Sequence, residues 1–304
     1  VRVRDAFFTE VYRRTCEGED IVIVSSDLGA PSLDDFRRDF PERFINVGIA
    51  EQNSIAVAGG LSWAGKKVIT YGLNPFPVTR AFDQVRNVLA SLQIPVTVTA
   101  LNAGSCSAEA GYTHMPVENM PIMRTLKNVD ILNPSDEAMA VKLVGEVVDN
   151  PKPRYVQFDK YIDGRILNED DIDFDKGYVA EGSGKVASKI ALVTYGIYAY
   201  ELRKKKLPVN VKLIDCFKLP IDEDKFLKEL DGVERIYTVE DSIAPGGIGS
   251  MVLEILNDRG LYIPVEKKAL FNKTGYPEVY MNRSMLWERE GIAVDDIVNE
   301  LARF

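Results

Sequence analysis

The chain has 304 residues, a length that suggests two domains more readily than one. It is 46% hydrophobic and 27% charged, an ordinary globular composition with ample material for a core. Its net charge of −9 argues against nucleic acid or an anionic membrane as partner, so an anionic substrate would need a local basic site rather than a global field. The three cysteines, Cys16, Cys106 and Cys216, are far apart and odd in number. They suit neither a disulfide framework nor a metal knuckle, and a reducing cytoplasm is the expected compartment. The N-terminus does not read as a signal peptide, and no apolar run reaches the roughly 18 residues of a membrane span.

The chain opens on a helical pattern, "RDAFFTEVYRRTCEG", followed by a β-branched run at 21–28, "IVIVSSDL". "FINVGIA" then reads as a strand end and a turn of small and apolar residues, leading to Glu51 and a slim, small-residue helix, "EQNSIAVAGGLSWAG". Further strands are predicted at 67–72, 95–101, 129–136 and 154–158, with helical patterns "VTRAFDQVRNVLASL" and "DEAMAVKLVGEVV" among them. Strands apolar on both faces and separated by helices imply a mostly parallel sheet covered on both sides. In such a sheet ligands sit beyond the carboxyl ends of the strands. The alternation pauses at Asp159–Lys189, which is acidic and lacks sustained periodicity; it reads as a linker with a short strand pair. It restarts with strands at 190–196, 211–217, 235–241 and 265–270 and helices near 197–206, 222–230, 247–258 and 293–303. The predicted fold class is α/β, with domains at 1–162 and 189–304 joined by a linker at 163–188.

Four stretches carry chemistry. Glu51 has two open readings. An acid in a first helical turn gains roughly 0.3–1 kcal/mol from the helix dipole. A buried carboxylate aimed at a ligand would instead want a partner nitrogen to offset its desolvation. Phe76 sits between Pro75 and Pro77 in the loop after a strand; the prolines stiffen the loop, so the ring either holds a flat heteroaromatic ligand or covers a core edge. Arg80 and Asp83 begin the following helix and read first as ion-pair members. His114, the only histidine, lies in a Gly/Ala/Ser-rich loop after a strand, flanked by Glu109 and Glu118. That setting favours work on a substrate over a core role. "GGIGSM" at 246–251 fails the dinucleotide fingerprint, because Val252 stands where a third glycine belongs, and reads as a tight glycine turn into a helix.

"FINVGIAEQN", "TRAFDQVRN", "GYTHMPVE" and "ILNPSDE", in this order and spacing, resemble the pyrimidine-binding half of thiamine diphosphate enzymes, above all transketolase and next 1-deoxyxylulose-5-phosphate synthase. "TVEDSIAPGGIGSMVLEIL" resembles a piece of the transketolase C-terminal domain. The resemblance implies two doubly wound, mostly parallel-sheet domains: a pyrimidine-binding domain over 1–162 and a transketolase C-terminal-like domain over 189–304. It implies that Glu51 hydrogen-bonds N1′ of the aminopyrimidine, with the apolar approach keeping water away from that bond. It implies that Phe76 stacks on the pyrimidine, that Arg80 belongs to the cofactor site, and that His114 contacts the donor's hydroxyl or developing oxyanion.

No G-D-G signature of the diphosphate-binding domain occurs. The expectation is therefore the C-terminal subunit of a split transketolase, with no metal ligands of its own. A separate N-terminal subunit would bind the diphosphate through Mg²⁺ in an α2β2 assembly, with helices such as 51–64 at the interface or simply packed closely on the sheet. Substrate contacts implied by the resemblance are Arg4, Ser32, Asn102, His114 and Lys160. Several depart from the family pattern. Ser32 is offset by one residue. Lys160 stands for an arginine and lacks its bidentate fork. Asn102 stands for a phosphate-binding histidine, and Ala110 for the aspartate that reads an acceptor hydroxyl. These changes predict a sugar phosphate other than the usual pentoses. Two alternatives stay open: the β subunit of a 2-oxo acid dehydrogenase, and a non-catalytic scaffold of the same fold.

Overall fold

The β-branched runs become strands in the computed structural model, which describes all residues except Ser183, Lys185, Lys273, Thr274, Pro277 and Glu278. The first two of these fall in the expected linker, and that part of the expectation lies outside the described residues. The chain forms two units: Val1–Ala103 with Ile122–Glu169, and Gly104–Pro121 with Asp170–Phe304.

The first unit is built on β1 (Ile21–Ser25), β2 (Phe44–Asn46), β3 (Lys67–Leu73), β4 (Val96–Leu101), β5 (Asp130–Leu132) and β6 (Arg154–Phe158). They run parallel in the order β5-β6-β4-β3-β1-β2. Every residue of β1, β4 and β6 is buried, as the two-sided apolar pattern requires. The Val3–Cys16 helix adds Phe7 and Phe8, which pack on Tyr71 and Phe158 with ring centroids 5.1–5.2 Å apart. Strand order reverses between β1 and β3, so a crevice is expected beyond their carboxyl ends.

Two elements end earlier than their sequence runs, for local reasons. β1 stops at Ser25, whose hydroxyl donates to Leu28 O (2.6 Å) and accepts from Leu28 N (3.1 Å), a side-chain turn that competes with the ladder. β5 stops at Leu132 because Asp136 is needed as the cap of the Glu137–Asp149 helix, accepting from Ala138 N at 2.7 Å. The expected single helix over "VTRAFDQVRNVLASL" is instead two π-helical turns, Phe76–Arg80 and Val85–Ser91, joined by one α-turn at Phe82–Gln84. Widened turns of this kind are frequent at functional sites.

The second unit is built on β7 (Val179–Glu181), β8 (Ile190–Thr194), β9 (Val211–Asp215), the two-residue β10 (Lys218–Leu219), β11 (Arg235–Ile243) and β12 (Val265–Leu270). Its sheet runs β12-β11-β8-β9-β7, parallel except for β7, which pairs antiparallel with β9. β7 comes from the stretch expected as linker, where Ile172, Phe174, Tyr178 and Val179 are buried. The glycine turn enters the Ile248–Asp258 helix, with Gly246 at φ +73°. The buried Glu240 carboxylate accepts from Ile248 N (3.0 Å) and Gly249 N (3.2 Å). An acid of the chain thus fills the place a phosphate would take at this helix N-terminus. No described helix is long and apolar enough to cross a membrane.

Candidate functional site

In the first unit, topology brings the predicted residues to one end of the sheet. Ser32 follows β1, Glu51 follows β2, Phe76 and Arg80 follow β3, Asn102 follows β4 and Lys160 follows β6. Arg4 starts the first helix, where Val3 N donates to Ile162 O (3.3 Å) and Arg2 bridges Asp163, so it too lies by the segment after β6. All seven therefore sit at the carboxyl ends of parallel strands, where α/β sheets bind ligands.

Glu51 is delivered there by a short turn. Asn46 Oδ1 accepts from Asp27 N (3.1 Å) and Gly48 N (2.9 Å), which closes the exit from β2. The next helix, Glu51–Trp63, can lie close to its neighbour because of Gly59: a Cβ there would stand 2.6 Å from Val88 Cγ1. Gly72 does the same for the Phe76 loop, since a Cβ on it would stand 2.5 Å from Pro77 Cγ. That loop is pinned at its root, with Asn74 N donating to Leu101 O (2.9 Å) and Tyr155 Oη donating to Asn74 Oδ1 (3.1 Å).

The outcome is a three-residue arrangement. Glu51 is 5% exposed, and its Oε2 accepts from Arg80 Nη1 at 2.9 Å. The same guanidinium lies over the Phe76 ring, 4.2 Å from its centroid. A planar, nitrogen-bearing cation is thus held between a carboxylate and an aromatic face. An aminopyrimidine needs the same two contacts, a hydrogen-bond partner on its edge and a ring on its face. The residues fit that group on geometry of their own. Glu51 is buried within the chain, whereas Ile49 of the apolar approach is 76% exposed. The turn that presents Glu51 points this side chain outward.

The implied substrate residues differ in state. Ser32 Oγ is enclosed and has no hydrogen-bond partner among the described residues. Arg4 is half-buried, with Nε and Nη2 on Asp5 Oδ1 at 2.8 and 2.7 Å. Asn102 is half-buried with φ +61°, a left-handed conformation that asparagine tolerates far better than most residues. Lys160 is half-buried with its ammonium 5.1 Å from the Tyr161 ring centroid. Close by in the core of this unit, burial pushes the Tyr71 hydroxyl up to about 12.

His114 belongs to the second unit, with the rest of Gly104–Pro121. It ends a 3₁₀ turn, Tyr112–His114, entered through Gly111 at φ +79°. Its Nδ1 is 2.8 Å from Thr113 Oγ1, so the tautomer decides which of the two donates. Glu109 is exposed, and Glu118 accepts a hydrogen bond from Tyr276 Oη. Sequence reasoning missed what holds this loop. Buried Asp241 accepts from Ser105 N (2.9 Å), Ser105 Oγ (2.5 Å) and Trp287 Nε1 (2.8 Å), and pairs with Arg283 Nη2 at 3.0 Å. The available signal was an acid closing the apolar run "RIYTVED".

Residues 1–161 match the family described as "Transketolase, pyrimidine binding domain". The chain is 28% identical over 263 residues to a subunit of the apulose-4-phosphate transketolase of Phocaeicola vulgatus, covering 85% of this chain and 84% of that one. It is 30% identical over 256 residues to a putative transketolase C-terminal section of Methanocaldococcus jannaschii, covering 80% and 78%. A solved structure described as "Split gene transketolase, inactive beta4 tetramer" superposes with a TM-score of 0.80 at 27% identity, covering all of this chain and 97% of the other. The chain therefore belongs to the transketolase family of thiamine diphosphate enzymes and resembles, over most of its length, the C-terminal subunits of split transketolases.

Proposed function

We propose that the chain is the pyrimidine-binding subunit of a transketolase that moves a two-carbon ketol unit from a ketose phosphate to an aldose. The observation that carries this reading is the Arg80 guanidinium held between Glu51 and Phe76, the two contacts that an aminopyrimidine would take over. The chemistry that thiamine diphosphate supplies when bound is a nucleophilic carbon that accepts and passes on the ketol unit. Glu51 holds and exchanges a proton at N1′ of the pyrimidine. Phe76 fixes the ring plane, and Arg80 lines the seat. His114 donates to an oxygen of the donor sugar, and Arg4, Ser32, Asn102 and Lys160 hold the sugar phosphate.

The diphosphate and Mg²⁺ belong to a second chain in this reading, in an α2β2 assembly. The names of the relatives, one a transketolase subunit and another a split-gene transketolase, support it, as does the inactivity of the solved assembly of β chains. So does the surface around Glu51. Ile49 and Trp63, before and at the end of its helix, are each 76% exposed, and the helix also turns Gln52, Asn53, Ala56 and Gly60 outward. Two large apolar side chains exposed at the two ends of one helix are consistent with a surface that another chain covers. The domain limits are proposed at 1–162 and 189–304. The donor is proposed to be a ketose phosphate outside the usual pentose pair, given Asn102, Ala110 and Lys160. The relative named for apulose 4-phosphate supports a non-standard sugar.

Calorimetric titration of thiamine diphosphate with Mg²⁺ tests the reading, first on this chain and then on its mixture with a candidate N-terminal subunit. Binding in the mixture alone is the expected result. Tight binding by the isolated chain, or a stable complex that binds nothing, would overturn it. Equal activity on xylulose 5-phosphate and ribose 5-phosphate would refute the proposed substrate class.

A further inference from the structure

The second unit contains a buried acid that no step above uses. Asp241 lies near the end of β11 and is 7% exposed. All four of its described contacts close on the base of one loop or on the helix behind it. Ser105 gives it both a backbone N–H and a hydroxyl, across 136 residues of sequence. Trp287 Nε1 and Arg283 Nη2, both from the Arg283–Glu290 helix, complete the set. Trp287 is in turn stacked on Tyr198, with centroids 4.4 Å apart, and Tyr198 Oη donates to Ile292 O at 2.9 Å. The carboxylate is thus fixed on one side by a rigid aromatic pair.

The loop is shaped to meet it. Gly104 has φ +55°, and a Cβ on it would stand 2.4 Å from both Asp241 O and Asp241 Oδ2. Only glycine lets the chain come this close. Further along, Ser242 Oγ donates to Val117 O (2.7 Å), as does Ile243 N (3.1 Å). Tyr276 closes the far side, edge-to-face with Tyr112 at 5.0 Å and hydrogen-bonded to Glu118. Between the anchors at Ser105 and Val117 lies His114. The three consecutive residues Asp241, Ser242 and Ile243 thus bind both ends of the segment that carries the imidazole.

We propose that Asp241 is a positioning residue for His114: its carboxylate, locked by Arg283 and Trp287, fixes the root of the Gly104–Pro121 loop and with it the place of the imidazole. The proposal rests on the reading of His114 as a substrate contact, and its test reads the loop directly. His114 is the only histidine, so its imidazole resonances need no assignment. Trp63 and Trp287 are the only tryptophans, so a Trp63→Phe background makes Trp287 the sole indole reporter. In that full-length background, Asp241→Asn and Ser105→Ala are compared with the parent by imidazole NMR spectra at one pH, amide exchange and Trp287 emission.

Asp241→Asn keeps the shape of the side chain but sets an amide donor among four donors. Amide exchange across the loop is expected to rise ~10-fold or more. The His114 imidazole resonances should shift and sharpen as the loop gains motion, and Trp287 emission should shift to longer wavelength. Ser105→Ala removes a single hydroxyl and should give a smaller change in the same direction; it decides the matter if Asp241→Asn does not fold. Unchanged loop exchange and unchanged imidazole resonances in the folded variants would overturn the proposal, even with altered Trp287 emission, because Asp241 would then serve only to pack the tryptophan. Full turnover of His114→Ala in the assembled enzyme would instead remove the reading of His114 and leave the loop's anchor standing.

Discussion

Two buried carboxylates, one in each unit, are used in opposite ways. Glu51 is 5% exposed and, among the described residues, takes a hydrogen bond from Arg80, whose own side chain is 47% exposed. Asp241 is 7% exposed and takes four donors, all of them from residues that are themselves buried. A carboxylate has about four lone-pair sites. Asp241 has filled them and is part of the scaffold. Glu51 keeps capacity in reserve and has a partner that can return to water. Burial alone would rank these two residues together; the count and mobility of their donors separates a group that holds structure from one poised for a ligand.

That contrast can be broken by substitution. The largest effect is expected from Glu51→Ala, with turnover of the assembled enzyme down ~10³-fold or more, because N1′ loses its proton partner. The fold should survive with a stability change of about 1 kcal/mol or less, since Arg80 is re-solvated. Near-native turnover would sink the assignment. Asp241→Ala should cost about 3–5 kcal/mol in chemical denaturation, because the buried Arg283 loses its ion pair with Asp241 and three further donors lose their acceptor. If both variants destabilise alike, the proposed difference between the two acids is wrong.

Phe76→Ala sharpens the ligand side of the comparison. Loss of the aromatic face should weaken thiamine diphosphate binding to the assembled enzyme by roughly five- to tenfold, about 1 kcal/mol, measured by calorimetry. No change in affinity would mean that the ring covers a core edge instead. The smallest effect concerns the far anchor of the His114 loop. The hydrogen bond to Glu118 holds the Tyr276 hydroxyl up at about 12. The folded value lies above the unfolded one, so the contribution is present below about pH 10 and lost as pH rises toward about 12. Tyr276→Phe should remove one tyrosine from that high range in a tyrosinate absorbance titration, with little change in stability because Tyr276 is 53% exposed.

Local patterns carried much of this molecule. The apolar, β-branched runs announced the parallel strands, because a strand buried on both faces needs no polar alternation. The glycine turn at 246–247 was legible as a turn rather than a nucleotide loop, and Glu240 supplies the reason by occupying the helix N-terminus itself. The short helices Asp34–Asp39 and Arg283–Glu290 left no trace, being too brief for a periodic stripe and rich in charge. The outward turn of Ile49 was equally hidden, since an apolar residue in a turn carries no sign of which way it faces.

The sequence by itself determined the α/β class, the order of strands and helices, and the residue types at the ends of the strands: an acid, an aromatic ring between prolines and a single histidine. Those are short-range properties, set by side-chain pattern and backbone preference within a few residues. Tertiary structure alone decided that Arg80 reaches across to Glu51 and over Phe76, because that depends on a widened helical turn and on the close approach allowed by Gly59 and Gly72. It alone decided that the loop after β4 is held by Asp241, a contact between residues 136 apart in sequence. Pairings at that distance arise from how the sheet and its loops close in space, and local chemistry carries no record of them.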